Sequence, residues 1–294
     1  MPPSRLALLT LVVCSGCGSA ADLIIGSQAD VQVEAGPQLS CADGGPRDDA
    51  GAPPVDGGCS NPALCAVLKM ALVHRYSFNG TGTIVTDSVG SAHGSVVNAQ
   101  LQGDGTLFLA GGQTDQYVDL PNGIIRQLVN ATFEAWVTWD GCGGWERVFD
   151  FGDSGNTEDV RGMASSTLYL TPRSIGGRDV MFGAFKRANQ VAANETRAYS
   201  NRVLSTGTMV HVALVIDDAN DQMTLYRNGA FEVSVAFADS LSLLNDINNW
   251  LGRSQYIIDP SFGGTFHEFR LYDVALSAPA IQTSYLGGPD PTFL

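Results

Sequence analysis

The sequence is poor in charged residues, and most of its charges are negative. Charged residues make up 16% of the 294 positions, and 16 Lys and Arg stand against 30 Asp and Glu, a formal net charge of -14. An acidic chain is not drawn over long range to nucleic acid or to an anionic membrane surface. The composition therefore excludes those partners and favours a soluble protein whose partners are neutral molecules or cations.

Motifs of catalysis are also missing. The sequence has no Gly-x-Ser-x-Gly nucleophile elbow and no glycine loop that would hold phosphate. Hydrolysis of glycosides usually needs two carboxylates that flank the scissile bond. Glu134, Glu146, Glu232 and Glu268 are isolated acids, which is typical of solvent-facing residues on strands. We therefore predict that the protein is not an enzyme.

Long hydrophobic runs are missing as well. Leu6–Val13 is apolar but far shorter than the roughly 20 residues of a membrane-spanning helix, and Arg5 precedes it. This arrangement is typical of a cleaved signal peptide, which we place at residues 1–17.

Cysteine appears directly after that apolar run. Cys14-Ser-Gly-Cys17 resembles a bacterial lipobox, in which the cysteine behind small residues is lipidated. Cys17 fits this role better than Cys14, because bulky valines precede Cys14. No Asp follows Cys17, which by resemblance implies a lipid anchor at the outer membrane of the cell envelope; ordinary secretion is the alternative.

Residues 18–69 are rich in Gly, Pro, Ala and Asp, with Ala42–Gly58 as the clearest run. Such a segment has too little apolar surface to offset the entropy of ordering. We predict a flexible linker over residues 18–69 and a folded domain over residues 70–294.

Four further cysteines, Cys41, Cys59, Cys65 and Cys142, can form disulfides in an exported protein. Three pairings are open, and the hypothesis that we favour joins Cys65 with Cys142 and Cys41 with Cys59. A zinc site is the weaker interpretation, because no Cys-x-x-Cys pair occurs among these four.

From residue 72 onward the sequence pattern is typical of short strands. Phe133–Trp139 has the highest β-propensity, and Thr208–Ile216 is a continuous apolar run typical of a strand buried on both faces. Asn228-Gly229 predicts a tight hairpin. Phe266–Tyr272 alternates as a strand, with Phe266 and Glu268 on the same face, and Ser277 can cap a short helix after it. The pattern predicts an all-β, antiparallel two-sheet sandwich with one short C-terminal helix.

Several of these segments resemble one family. The closing strand after Gly263-Gly264, the Asp87-Ser-x-Gly90 loop, and His211–Val215 followed by Leu225–Gly229 are similar to laminin G-like, concanavalin A-like jelly-roll domains. The resemblance covers about residues 70 to 286. It implies a jelly roll and a non-catalytic binding role, with carbohydrate as the expected ligand.

The partner expected from this resemblance is a polysaccharide, a glycoconjugate or a surface protein. Aromatic side chains on loops suit such ligands, and the candidates are Trp139, Trp145, Tyr199, Trp250 and Tyr256. Two alternatives remain open: a protein-binding or adhesive envelope protein, and a glycosidase or polysaccharide lyase on the same fold.

Calcium is the cofactor that the resemblance implies. By resemblance Asp87 is a candidate ligand of a structural Ca²⁺. The second acid that such domains usually supply falls at His267, which is a poor ligand for calcium. The competing interpretation makes Asp87 the organiser of its own turn.

Overall fold

The computed structural model describes residues 58–141 and 143–294. The predicted signal peptide, Cys17, Cys41, Cys142 and the linker up to residue 57 lie outside the described residues. In chain order the helices are α1 (Pro62–Ala71) and α2 (Ala278–Gly287), and the strands are β1 (Leu72–Tyr76), β2 (Thr81–Gly82), β3 (Ile84–Val85), β4 (Gly94–Val97), β5 (Leu101–Gln102), β6 (Leu107–Gly112), β7 (Tyr117–Leu120), β8 (Ala131–Trp139), β9 (Phe149–Asp153), β10 (Ser166–Thr171), β11 (Phe182–Lys186), β12 (Thr196–Tyr199), β13 (Met209–Asp217), β14 (Gln222–Arg227), β15 (Ala230–Ala236), β16 (Asn248–Leu251) and β17 (Ser261–Tyr272).

Two antiparallel sheets make up the domain. The seven-stranded sheet has the order β1-β17-β8-β13-β14-β15, with β6 also paired to β17, and the eight-stranded sheet has the order β12-β11-β10-β9-β16-β7-β4-β3. A separate ribbon joins β2 to β5. The predicted all-β two-sheet jelly roll is confirmed.

Alternate residues of the two sheets form the main core between them. The ring of Phe133 on β8 stacks on that of Phe149 on β9, with centroids 5.6 Å apart. Gly183 on β11 leaves room for Leu214 of β13, because a Cβ at Gly183 would lie 2.6 Å from a Leu214 methyl carbon. The sheets therefore approach closely at this point, and a larger residue would push them apart.

Strand β13 is buried on both faces, as its apolar run predicted. Val212 and Leu214 point into the main core, whereas Ala213 and Val215 belong to a second apolar cluster with Leu68 of α1 and Ile281 of α2. Both helices thus lie on the outer face of the seven-stranded sheet. Helix α2 begins directly after Ser277, as expected, although the Ser277 side chain makes no capping hydrogen bond.

Strand β17 differs from its predicted alternation. The pairing with β8 shifts between Phe266 and Glu268, so that His267 is an extra residue in β17 without a partner in β8. Such a β-bulge reverses the side-chain phase. Phe266 consequently points into the main core with Phe269, while Glu268 faces the helices. The prediction that Phe266 and Glu268 share a face was wrong.

A buried ionic network fastens α2 to the seven-stranded sheet. Arg270 Nε donates to Glu268 Oε1 at 2.7 Å, and its two other nitrogens donate to Ser284 Oγ at 3.0 Å and to the Gly288 carbonyl at 2.8 Å. The guanidinium lies 4.2 Å from the centre of the Trp136 ring. Burial disfavours the charge, but Glu268 and other acidic neighbours outweigh it and raise the pKa of Arg270.

Helix α1 starts the folded domain earlier than expected. The linker was predicted to run to residue 69, whereas α1 begins at Pro62, with the Asn61 side chain accepting a hydrogen bond from Leu64 N. Pro62 suits the first helical position because its missing N–H would have no partner there. Within the described residues, no helix is long and apolar enough to cross a membrane.

The disulfide in this region is Cys59–Cys65. The favoured pairing of Cys65 with Cys142 was therefore wrong, and so was that of Cys41 with Cys59. The start of α1 turns the chain back so that the two Cα atoms are 6.2 Å apart, within the range of a disulfide. The two cysteines are only six residues apart in the sequence, so the disulfide forms within one short stretch of the chain.

Replacing both Cys59 and Cys65 by Ser is expected to lower the free energy of unfolding by about 2 kcal/mol, because the short loop is no longer closed in the unfolded chain. Urea unfolding of the variant and the unmodified protein measures the difference. An unreduced peptide map is the control, and a peptide that links Cys65 to Cys142 would contradict the assignment.

Candidate functional site

Helices cover the outer face of the seven-stranded sheet, whereas side chains and loops cover the outer face of the eight-stranded sheet. Near the β10–β12 edge, the outward residues form an aromatic cluster around Phe182. The rings of Tyr169, Tyr199 and Trp145 lie 5.6, 4.9 and 6.0 Å from that of Phe182. Phe182 and Tyr169 are buried, whereas Trp145 and Tyr199 are half-buried. The cluster therefore has two buried rings and two rings that reach solvent.

Beside these rings lies a group of polar side chains held together by Glu195. Oε2 of Glu195 accepts from the Tyr169 hydroxyl at 3.1 Å and from Arg197 at 2.8 Å, and Oε1 accepts from the Tyr256 hydroxyl at 3.1 Å. Arg197 also donates to the hydroxyl oxygen of Tyr199 at 3.1 Å. We call Tyr169, Glu195, Arg197, Tyr199 and Tyr256 the Glu195 cluster.

Two hydroxyls of the Glu195 cluster are kept protonated by their surroundings. Burial, followed by the charge of Glu195, raises the pKa of Tyr256, and burial raises the pKa of Tyr169. Burial opposes the charge of Arg197, but its hydrogen bond to Glu195 raises the pKa overall. The hydroxyls of Tyr169 and Tyr256 are therefore neutral, and the Arg197 guanidinium is charged, at ordinary pH.

Beneath the Glu195 cluster, Arg147 lies 4.2 Å from the centre of the Tyr169 ring and donates to Asp259 at 2.7 Å. Its neighbour Asp150 accepts from the Thr167 hydroxyl and from Gln255 N at 3.0 Å. Burial is the largest effect on Asp150 and raises its pKa to about 7, against the opposing influence of Arg147. Asp150 is fully buried, so it supports the site from below rather than meeting a ligand.

Two loops form an apolar rim next to the Glu195 cluster. Gly162 N donates to the Gln255 carbonyl at 2.9 Å, and Ile257 N donates to the Gly162 carbonyl at 2.8 Å. These bonds hold the loops side by side, with Met163 and Ile258 exposed at 70% and 77%. Exposed apolar side chains at a site's rim favour contact with a ligand.

The structure brings three of the five predicted aromatic residues to one face. Trp145 and Tyr199 contact Phe182, and Tyr256 joins the Glu195 cluster. The other two do not reach a surface. Trp139 is 1% exposed and donates from Nε1 to Glu146 Oε2 at 2.8 Å, so it belongs to the core.

Trp250 is fully buried, because its ring lies below Arg253, whose guanidinium carbon is 4.2 Å from the ring centre. The expectation that Trp139 and Trp250 are displayed to a ligand was wrong. Large apolar rings at the ends of strands favour the core as much as a binding surface.

Sequence reasoning missed Tyr169, Phe182, Glu195 and Arg197. One signal was available: Phe182, Ala184 and Lys186 alternate with Gly183 and Phe185, which predicts a strand with a distinct outward face. The short strand β12 had no such signal, since its four residues, Thr-Arg-Ala-Tyr, match no clear period.

Asp87 has a structural role in its own loop. Its carboxylate lies 2.7 Å from His74 Nδ1 and accepts from the backbone N–H groups of Arg75, Val89, Gly90 and Ala92 at 3.0 to 3.1 Å. Burial tends to raise the pKa of Asp87, but the hydrogen bonds outweigh it and the pKa is lowered.

A calcium ion would need the oxygens that these donors already occupy, so the residues around Asp87 do not fit that ion. His267 is engaged with Thr138, its Nε2 lying 2.9 Å from the Thr138 hydroxyl. In residues 58–141 and 143–294, no group of three or more His, Cys, Asp and Glu side chains could hold a metal ion.

Comparison with known proteins agrees with this architecture. The laminin G family model described as the concanavalin A-like lectin/glucanases superfamily matches residues 111–282. The chain belongs to this superfamily. The match confirms the family resemblance drawn from the strands and turns. No curated protein matches the chain.

Solved structures of similar fold come from several organisms. Domain 4 of AbnA, a GH43 extracellular arabinanase from Geobacillus stearothermophilus in complex with arabinotriose, has 20% identity and a TM-score of 0.51 over 72% of this chain and 96% of that one. The CBM40 of Ruminococcus gnavus IT-sialidase bound to α2,3-sialyllactose has 15% identity and a TM-score of 0.50 over 61% and 96%. Trypanosoma rangeli sialidase has 18% identity and a TM-score of 0.52 over 74% of this chain and 33% of that one. At these identities the likeness shows the fold alone.

Replacing Asp87 by Asn is expected to lower the free energy of unfolding by about 2 to 3 kcal/mol, equally in calcium and in chelator, because the carboxylate holds protein donors. Since the folded pKa is lowered, the stabilisation is present above the ordinary carboxyl pKa. It is lost as pH falls through the folded value, so the difference should shrink below about pH 4.

Denaturant unfolding at several pH values measures this effect, and Asp104→Asn, in an exposed turn, is the matched control. A gain in stability of the unmodified protein with calcium that Asp87→Asn abolishes would restore the calcium site.

Proposed function

We propose that the chain is a non-catalytic carbohydrate-binding protein and that Trp145, Tyr199 and Tyr256 form its binding face. The observation that carries the proposal is the meeting of these three half-buried rings on one uncovered sheet face, beside the ordered hydrogen-bonding groups of the Glu195 cluster. Binding sites combine apolar and aromatic walls with a few placed polar groups. The arabinotriose and sialyllactose bound by two similar structures support this ligand class.

The rings and the polar groups have separate tasks. Trp145 supplies a flat apolar surface for the C–H face of a sugar ring, and the Tyr199 hydroxyl and Arg197 supply hydrogen bonds for sugar hydroxyls. Because Glu195 already fixes Arg197 and Tyr256, binding orders few additional side chains. A preorganised site of this kind loses less conformational entropy when the ligand binds.

A glycosidase or polysaccharide lyase is the second candidate, and one observation favours it: tyrosine, arginine and carboxylate groups meet in the Glu195 cluster, above an Asp150 whose pKa is raised to about 7. Two features oppose it. The raised pKa of Tyr256 keeps its hydroxyl protonated, so no tyrosinate is available as a base, and Asp150 has no exposed surface. These features support binding without catalysis.

The setting that we propose rests on the sequence alone. Lipidation at Cys17 would anchor the chain to the outer membrane, and residues 18–57 would hold the folded domain away from it. Such a position gives the binding face access to polysaccharides or glycoconjugates outside the membrane, and to surface proteins if the ligand is a glycoprotein.

Trp145→Ala and Tyr199→Ala are each expected to weaken glycan binding by about five- to tenfold, because the first removes the stacking ring and the second removes a hydroxyl that Arg197 holds in place. Affinity electrophoresis of the full chain in gels containing single polysaccharides measures the retardation. Phe108→Ala and Phe231→Ala are matched controls, since both are exposed rings, at 58% and 60%, on strands of the seven-stranded sheet. Equal losses in all four variants would remove the proposed face from consideration.

Incubation of the chain with each glycan that it binds is expected to leave the length of that glycan unchanged, because no exposed acid–base pair is placed at the face. Size-exclusion chromatography with detection of reducing ends and of unsaturated products measures chain length. Shortening of the glycan that Tyr256→Phe abolishes would establish the enzyme instead.

A further inference from the structure

The charge of the chain is unevenly distributed, and one net-basic segment contributes Tyr199 and Arg197 to the proposed binding face. Residues 160–202, which include β10, β11 and β12, hold seven Lys and Arg but only two Asp and Glu, a net charge of +5. The rest of the chain holds nine Lys and Arg against 28 Asp and Glu, a net charge of -19. Any cation of this segment that lacks an internal partner attracts anions selectively, because the rest of the acidic chain repels them.

Most of these basic residues are neutralised within the protein. Carboxylates lie within 4 Å of five of them, in the pairs Arg161–Asp115, Arg173–Asp179, Arg187–Asp239, Arg197–Glu195 and Arg202–Glu232. The two that remain are Arg178 and Lys186. In the part of the chain that the structure describes, neither has a carboxylate partner within that distance.

Lys186 is a buried charge with little compensation. It is 7% exposed, and its Nζ donates to the carbonyl oxygen of Ala164. The centre of the Tyr256 ring lies 6.0 Å away, at the limit of a cation–π contact. One carbonyl is the sole acceptor in the described residues for three N–H donors, so the charge is left for a ligand to balance.

Arg178 supplies the exposed contact. Its guanidinium lies 4.6 Å from the centre of the Tyr199 ring, and the side chain is exposed in the loop before β11. A guanidinium stacked on a ring keeps its N–H fork free at the edge, which suits a carboxylate or a sulfate. The anion contact therefore lies directly beside the Tyr199 hydroxyl of the proposed binding face.

The two cations mark the two ends of the proposed face. Tyr199 pairs with Phe182 at the start of β11, and Lys186 ends the same strand. Four residues of strand span roughly 13 Å, with Arg197 opposite Ala184 between them. A ligand lying along β11 thus passes over rings and meets positive charge at both ends.

We propose that the glycan recognised by this face is anionic, with carboxylate or sulfate groups that contact Arg178 and balance the field of Lys186. This inference rests on the proposed carbohydrate-binding function. A charge in a low-dielectric interior acts more strongly at the surface above it than an equally distant charge in water, so Lys186 contributes without direct contact.

Matched polysaccharide pairs test the proposal. The full chain is titrated with polygalacturonate and with its fully methyl-esterified form, and separately with dextran sulfate and with dextran, by isothermal calorimetry at low and high salt. We expect the charged member of one pair to bind at least tenfold more tightly at low salt and to lose most of that advantage at high salt. The pair that shows the difference identifies carboxylate or sulfate as the recognised group.

Single-charge variants connect the preference to the two residues. Arg178→Gln is expected to weaken binding of the charged member about three- to fivefold, and Lys186→Met, which keeps an apolar stem in the buried position, about tenfold. Binding of the neutral member should fall by a smaller factor than binding of the charged member in both variants. Lys69→Gln, an exposed charge on α1 against the other sheet, is the control and should have no effect.

Each other result contradicts the proposal in a distinguishable way. Equal binding of charged and neutral members, or binding of arabinotriose without either charged polymer, would overturn the anionic ligand and leave the proposed function standing. Binding of no glycan, charged or neutral, would overturn both. An equal loss in Lys69→Gln and Arg178→Gln would reduce the preference to the protein's overall charge.

Discussion

The buried charge of Arg270 is the constraint on which the arrangement of the domain depends. A guanidinium inside a protein is tolerated only when acceptors surround it, and these come from β17, from α2 and from the turn after α2. Glu268 also pairs with Arg75 of β1, which donates to Glu268 at 2.7 Å and to the carbonyl of Leu294 at 3.0 Å. The C-terminal segment therefore cannot leave the seven-stranded sheet without leaving several buried charges unpaired.

The two sheets consequently present different outer faces. On the seven-stranded sheet, Glu134 and Glu268 are fully buried and not solvent-facing as predicted, and Glu134 accepts hydrogen bonds from Tyr272 and Ser284, so its carboxylate stabilises the fold. On the eight-stranded sheet, Glu195 organises a similar set of tyrosine and arginine donors, but the rings of Tyr199 and Tyr256 remain half-buried. Similar hydrogen-bonding groups are therefore buried under helices on one sheet and left accessible to a ligand on the other.

The sequence was sufficient for the features that local pattern determines. The apolar run of β13 and the Asn228-Gly229 hairpin between β14 and β15 carry their own signals, and the family resemblance places them in one fold. The bulge at His267 left no signal, because an inserted residue changes the phase without changing composition. The candidate site was only half accessible to sequence reasoning, since Glu195 becomes meaningful only when pairing brings β12 beside β11 and the loop of Tyr256 across them.

The bridge between Cys59 and Cys65 determines how the domain responds to a pull on its N-terminal segment. Tension transmitted along the chain crosses from Cys59 to Cys65 through the sulfur atoms, so the residues between them carry none of it. The load enters α1 beyond its first turn, at a buried residue one turn before Leu68, which packs against β13. The helix end cannot be peeled away residue by residue, and extension begins only when the packed part of α1 detaches as a unit. The disulfide thus acts as a mechanical clamp at the point where the chain enters the domain.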